Sequence, residues 1–264
     1  MGFEEILFEK EGGVATLTLN RPDRLNSFTT GMYRELSNIV KQIHRDDEIK
    51  VVILTGAGKG FCAGSDVSDR LASQVEKRGE ENRYETLRPT GAVALDIADL
   101  DKPIIAAING VAVGAGLSLA LLSDIRLASE KARFGAVWIN MGFIPDLGST
   151  YFLPRIVGME KALDLMLSGE VINAEEALRI GLVSRVIPHE QILAKAKELA
   201  TKIAAGPSVA VELTKRGLRR ALDSDLRTQL DYESYAQNLC RKTEDHKEAI
   251  QAFLEKRKPQ FKGV

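Results

Sequence analysis

Twice in this chain a short, wholly apolar run ends in a glycine-rich turn, and that pairing restricts the possible folds more than any other feature. Val51-Val52-Ile53-Leu54 runs into Thr55-Gly56-Ala57-Gly58-Lys59-Gly60, and Pro103-Ile104-Ile105-Ala106-Ala107-Ile108 runs into Asn109-Gly110. Apolar runs this short, with no polar alternation, predict strands covered on both faces, as in a sheet flanked by helices. The neighbouring sequence agrees. Val14–Leu19 alternates and is rich in β-branched residues, which predicts another strand. Met32, Leu36, Ile39, Val40 and Ile43 recur at helical spacing, 114–122 predicts an apolar helix opened by glycines, and 125–128 a further strand. Strand–turn–helix units repeated in this way predict an α/β core with crossovers. From about Ala174 helical patterns dominate, with helices predicted over 192–205, 209–221, 226–239 and 247–257. We therefore expect an α/β core over residues 1–190, carrying the site, and a helical C-terminal region over 191–264.

Charge and composition exclude several functions. Lys and Arg number 36 against 37 Asp and Glu, so no net field favours nucleic acid or an anionic membrane surface. The acidic start, Met1-Gly2-Phe3-Glu4-Glu5, lacks the basic and apolar regions of a signal peptide, and cytoplasm is the default expectation. Two cysteines, Cys62 and Cys240, make neither a disulfide framework nor a metal cluster. Cys62 reads as a small buried residue in a turn rather than a nucleophile. His44, His189 and His246 lie on amphipathic or solvated stretches and are not expected to be catalytic.

Gly60-Phe61-Cys62-Ala63-Gly64-Ser65-Asp66 and Asn109 to Gly116 each combine small residues with exposed main chain. Small residues let a ligand approach the backbone, and a helix start offers unpaired N–H groups. Two such groups aimed at one oxygen form an oxyanion hole, although tight turns and helix packing explain such glycines too. Gly114-Ala115-Gly116 lacks the third glycine of a dinucleotide fingerprint, there is no GKS or GKT phosphate loop, and Ser118 lies inside a helix rather than at a nucleophile elbow.

Taken in order, Asn20-Arg21-Pro22 with Asn26, the 54–66 and 103–116 turns, Ser123-Asp124-Ile125, Gly142-Phe143-Ile144-Pro145-Asp146, Leu153-Pro154-Arg155, Ala174-Glu175-Glu176-Ala177, Gly181-Leu182-Val183 and Ala252-Phe253-Leu254-Glu255-Lys256-Arg257 resemble the crotonase family of enoyl-CoA hydratases and isomerases. The resemblance spans nearly the whole chain. It implies a ClpP-like spiral of ββα units, C-terminal helices that drive trimerisation or a dimer of trimers, and an acyl-CoA substrate. It implies no separate cofactor and no metal, since coenzyme A arrives as part of the substrate. The thioester carbonyl is expected to accept from the Ser65 and Ala115 N–H groups; Ala115 departs from the family's usual Gly. CoA is expected along Arg24, Ser27, Ala63, Asp66 and Val67, with Lys256, from a neighbouring subunit, at a phosphate.

The acids depart further. Hydratases of the family carry glutamates where this chain has Ser118 and Trp138, and neither residue is a general base near neutral pH. Asp146 stands where several isomerase branches carry their acid, and where 4-chlorobenzoyl-CoA dehalogenases pair an aspartate nucleophile with a Trp. The histidine of those dehalogenases would fall near Gly91, and no histidine occurs between 45 and 188. Asp146 otherwise reads as the N-cap of a helix starting near Gly148, Trp138 as core filler or pocket lining, and Ser118 as a helix-packing residue. We expect an enoyl-CoA isomerase with Asp146 as proton shuttle. Its rivals are a hydratase with an altered acid set, an Asp-nucleophile hydrolase or dehalogenase, and a non-catalytic acyl-CoA binder. Residues 70–95 are the expected lining of the acyl pocket.

Overall fold

The computed structural model describes residues 3–69 and 89–264, so most of the expected acyl-pocket segment lies outside the described residues. A six-stranded sheet runs in the order β1 (Ile6–Glu11), β2 (Val14–Leu19), β3 (Val51–Gly56), β4 (Ile104–Ile108), β6 (Ile125–Ser129), β9 (Arg185–Ile187). A three-stranded sheet joins β5 (Val111–Val113), β7 (Arg133–Gly135) and β8 (Val171–Asn173). β1 and β2 form an antiparallel hairpin through Gly12-Gly13, and the rest of the large sheet is parallel. This is the α/β core with crossovers expected from the sequence.

The unalternating strands have their reason in the layers above and below them. Val52 and Leu54 of β3, with Ile104 and Ala106 of β4, share one core with α1 (Thr30–Arg45), which buries the same five residues its spacing predicted. Thr29 caps α1 by accepting from the Met32 N–H. Val51, Ile53, Ile105 and Ala107 point the other way and meet Ile192, Ala196 and Ala200 of a C-terminal helix, Ile192–Ala204. A strand buried on both faces needs apolar side chains at odd and even positions alike. In packing terms the core therefore runs past residue 190, through Ala204, and the helices beyond it form the outer layer.

The remaining helices are α2 (Pro89–Ala98), α3 (Ala115–Leu122), α4 (Ser149–Val157), α5 (Met159–Ser168) and α6 (Ala174–Arg179). After α7 (Ile192–Ala204) come α8 (Ser208–Ala221), α9 (Leu226–Cys240) and α10 (Glu244–Leu254). α8 is fastened by charge to the N-terminal ends of the interior strands β4 and β6: Lys215 Nζ and Arg219 Nη2 lie 2.7 and 2.9 Å from Asp124, whose Oδ2 also accepts from the Ile104 N–H. The last helix begins three residues before the expected 247, because Thr243 caps it by accepting from His246 N. Among the described residues, no helix is long and apolar enough to cross a membrane.

Candidate active site

The site forms where the turns after β3 and β4 meet, at the C-terminal end of the sheet. Two buried asparagines stitch the first turn. Asn26 donates to the carbonyls of Ala57 and Gly60 at 2.9 and 2.8 Å and accepts from the Arg21 N–H. Asn109 donates to Gly58 and Gly60 at 3.0 and 3.1 Å and accepts from the Gly56 N–H. With these carbonyls held inward, the turn keeps its shape without a regular ladder.

The two turns then approach each other backbone to backbone. Cys62 N–H donates to Val111 O at 2.8 Å, and Val113 N–H returns a bond to Cys62 O at 3.1 Å. Gly64 (φ +96°) and Gly114 (φ +53°) face one another: a Cβ on Gly114 would sit 3.7 Å from Gly64 Cα, and one on Gly64 would sit 3.2 Å from Val113 O and 3.9 Å from Ala115 N. Both positions demand a left-handed backbone that side chains disfavour. This contact brings Ser65 and Ala115 together. Ser65 is pinned on both sides, since Gly64 O accepts from Phe28 N and Asp66 N donates to Phe28 O, each at 2.8 Å. Its own N–H donates to no described residue. Ala115 opens α3, where an N–H has no intrahelical partner, and it too donates to no described residue.

Asp146 enters from the far side. A 3-10 turn over Val137–Met141 buries Trp138, and the chain passes Asp146 into two left-handed residues, Leu147 (φ +49°) and Gly148 (φ +78°), before α4. Leu147 is buried, so packing holds a backbone conformation that costs a non-glycine residue about 1–3 kcal/mol. The kink swings the Asp146 side chain away from α4. The N-cap of α4 is Gly148, with no side-chain cap, so Asp146 is not capping the helix. Its Oδ1 instead accepts from Trp138 Nε1 at 3.2 Å and from Ser118 Oγ at 3.0 Å. The three positions singled out in the sequence thus converge on one carboxylate, and Oδ2 accepts from no described residue. Ser118 is fully buried and receives a further bond from Ser149 Oγ at 2.8 Å. Cys62 lies close by, but burial pushes its thiol up to about 12, with the Asp146 charge adding to the rise, so it stays protonated and is no nucleophile.

The expected CoA contacts form one surface with an internal polar frame. Arg24 ends a short 3-10 turn, is exposed, and pairs with no described acid. Ala63 N–H bonds Leu25 O at 2.9 Å, which brings the 21–27 loop against the first turn. The carboxylate of Asp66 is fully engaged within the chain. Oδ1 accepts from Ser68 N and Oγ and from Asp69 N, while Oδ2 meets Arg21 Nη2 at 2.9 Å and Ser27 Oγ at 3.5 Å. The Ser68 hydroxyl and the Arg21 guanidinium hold that carboxyl at about 2, well below its ordinary range. Both the Asp66 carboxylate and its N–H, which bonds Phe28 O, therefore serve the frame of the loop. Val67 beside it is half exposed. Lys256, exposed beyond the end of α10, makes no ion pair with a described residue and no bond to the 21–27 or 63–67 loops of its own chain. Arg21, which also pairs with Glu5 at 3.2 Å, Asn109 and Ser149 are the organising residues that the sequence reading assigned no role.

Comparison with known proteins gives the family. Residues 9–264 match the family model for enoyl-CoA hydratase/isomerase. Over 262 residues the chain is 42% identical to the 1,2-epoxyphenylacetyl-CoA isomerase of Escherichia coli, covering 98% of this chain and 99% of that protein. It is 41% identical over 260 residues to the short-chain-enoyl-CoA hydratase of Clostridium acetobutylicum, covering 98% and 97%. The crystal structure of an enoyl-CoA hydratase from Bacillus anthracis superposes with a TM-score of 0.90 at 36% identity, covering 99% of this chain and 100% of that one.

Proposed function

Because the chain belongs to the enoyl-CoA hydratase/isomerase family, we propose that it is an acyl-CoA isomerase in which Asp146 carries a proton between two carbons of an enoyl-CoA. The observation that carries this reading is the tethering of Asp146. Both positions that hold the hydratase glutamates in the family pattern are occupied here by hydrogen-bond donors, and both donate to the same carboxylate oxygen. An indole N–H and a seryl hydroxyl neither hold nor deprotonate a water as two carboxylates do. One base whose Oδ2 is bonded by no described residue suffices for isomerisation. In this mechanism the thioester oxygen of a 3-enoyl-CoA accepts from the Ser65 and Ala115 N–H groups. Asp146 Oδ2 takes a proton from C2, and the C–H electron pair moves into a dienolate whose charge rests on that oxygen. The proton returns from Oδ2 to C4, giving the 2-enoyl thioester and the original carboxylate, with no water consumed.

A second reading, isomerisation of a phenylacetyl thioester bearing a 1,2-epoxide, is supported by the similarity to the E. coli isomerase. In either case the CoA moiety lies along the loops that carry Arg24, Ser27, Ala63, Asp66 and Val67. Lys256 meets a phosphate from a neighbouring copy in a trimer or hexamer. The largely exposed neighbours Phe253 and Leu254, at the end of the last helix, support such an assembly as an apolar patch a partner copy would cover.

Purified protein should convert 3-hexenoyl-CoA to 2-hexenoyl-CoA far faster than it hydrates crotonyl-CoA. Asp146→Asn should lose about 10² to 10⁴-fold in that conversion, with acyl-CoA affinity kept. Dominant hydration by the wild type, or full isomerisation by the Asn variant, overturns the reading. Turnover of the epoxide alone selects the second.

A further inference from the structure

The hydrogen bonds around Asp146 continue one residue beyond the groups named above. An ionised carboxylate only accepts, so Ser118 must donate its single hydroxyl proton to Oδ1, at 3.0 Å. Its lone pairs then face Ser149 Oγ, 2.8 Å away, which must donate in turn. Ser149 and Ser118 are 1% and 0% exposed, so water does not compete for these bonds. Ser118 also has two other acceptors within reach, Gly114 O at 3.3 Å and Asp146 O at 3.4 Å. The first is the carbonyl four residues back in the chain, the ordinary resting partner of a serine in a helix. The bond from Ser149 fixes which way the Ser118 lone pairs point, and so keeps the proton on the carboxylate instead of on that carbonyl.

We propose that Ser149 is a positioning residue for Asp146: acting through Ser118, it locks Oδ1 and leaves Oδ2 as the oxygen that takes and returns the substrate proton. The chain is built where the backbone gives it a fixed origin. Ser149 is the first residue of α4, directly after the Leu147–Gly148 kink, and its N–H donates to Asp146 O at 2.9 Å. Acid and hydroxyl are therefore held by the same turn, with Ser118 on the opposing helix α3 completing a closed ring. The inference rests on Asp146 being the base, but not on which acyl group it serves.

The test uses proton exchange as well as turnover. Wild-type protein, Ser149→Ala and Ser149→Thr are incubated with butyryl-CoA and with phenylacetyl-CoA in D2O, and α-deuteration is followed by mass spectrometry. The same proteins are assayed with 3-hexenoyl-CoA. Ser149→Ala should lose about tenfold in exchange and in kcat with KM unchanged, the scale of a small misplacement of a reacting group. Ser149→Thr, which keeps the hydroxyl, should recover to within about twofold of wild type. Both variants should stay folded at the assay temperature, with Ser149→Ala less stable by the loss of one buried hydrogen bond, so rates are compared per folded molecule well below the unfolding transition. Wild-type rates in Ser149→Ala overturn the proposal, as do equal losses in the Ala and Thr variants. Wild-type protein that exchanges protons without moving a double bond sinks the isomerase reading and leaves this one standing. Wild-type protein that does neither overturns both.

Discussion

The two sides of the β3–β4 pair are held by different forces. On the α7 side, Val51, Ile53, Ile105 and Ala107 meet Ile192, Ala196 and Ala200, and the contact is apolar burial. At the C-terminal end of the same strands, order comes from directional bonds: Asn26 and Asn109 on Gly60 O, Arg21 on Asp66, and Ser118 and Trp138 on Asp146. Apolar burial is non-directional and scales with area, so it secures the fold but fixes no atom. Directional bonds fix atoms, and each gives only about 0.5–1.5 kcal/mol of net stability. Stability and chemistry should therefore respond to different substitutions.

The strongest test of that separation is Ala115→Pro. Proline is tolerated at the first position of a helix, so the change deletes one N–H and leaves α3 able to form. Turnover should fall by about 10² to 10³-fold, the loss seen when one oxyanion donor is removed. The urea midpoint should move little. Full activity in this variant would remove Ala115 from the site.

Ile53→Ala attacks the other side. Ile53 is fully buried, and the truncation should cost about 2–5 kcal/mol in urea unfolding. Turnover per folded molecule, measured well below the transition, should stay within a factor of two or so of wild type. A large drop in kcat would mean that the back face also positions the site.

A smaller effect sharpens the comparison from within the polar frame. Asp66 titrates at about 2 in the folded chain against an ordinary 3.8, so its stabilisation is fully present above 3.8 and is lost as pH falls toward about 2. Asp66→Asn should be less stable than wild type at pH 7, by less than Ile53→Ala. The difference between the two melting curves should close over that acidic window. A gap that persists at the acid end would assign the effect to packing rather than to charge.

The apolar half of the molecule was legible because it is periodic. The five buried positions of α1 and the doubly covered strands follow directly from spacing. β5, β7, β8 and β9 escaped because three residues are too few to display any period. Ser118, Trp138 and Asp146 were brought into view by family resemblance, and the structure adds that one oxygen gathers all three. Arg21 and Asn109 lay within the resembling motifs but with no role attached, and Ser149 lay outside them. Ser149 reaches a residue 31 positions away and Asn109 one 49 positions away, and a lone polar residue in a sequence does not reveal so distant a partner. Asp66 adds a second lesson: its place in the motif gave no sign that its side chain serves the frame of the loop.

The Gly64–Gly114 contact has a thermodynamic corollary. Both partners are bare main chain, with a hypothetical Cβ of Gly114 just 3.7 Å from Gly64 Cα. Ordering a rotamer-rich side chain around a guest costs about 0.5–1.5 kcal/mol each time. A seam made of backbone has no rotamers to lose, so whatever docks against the Ser65 and Ala115 amides meets donors that were already immobile when it arrived.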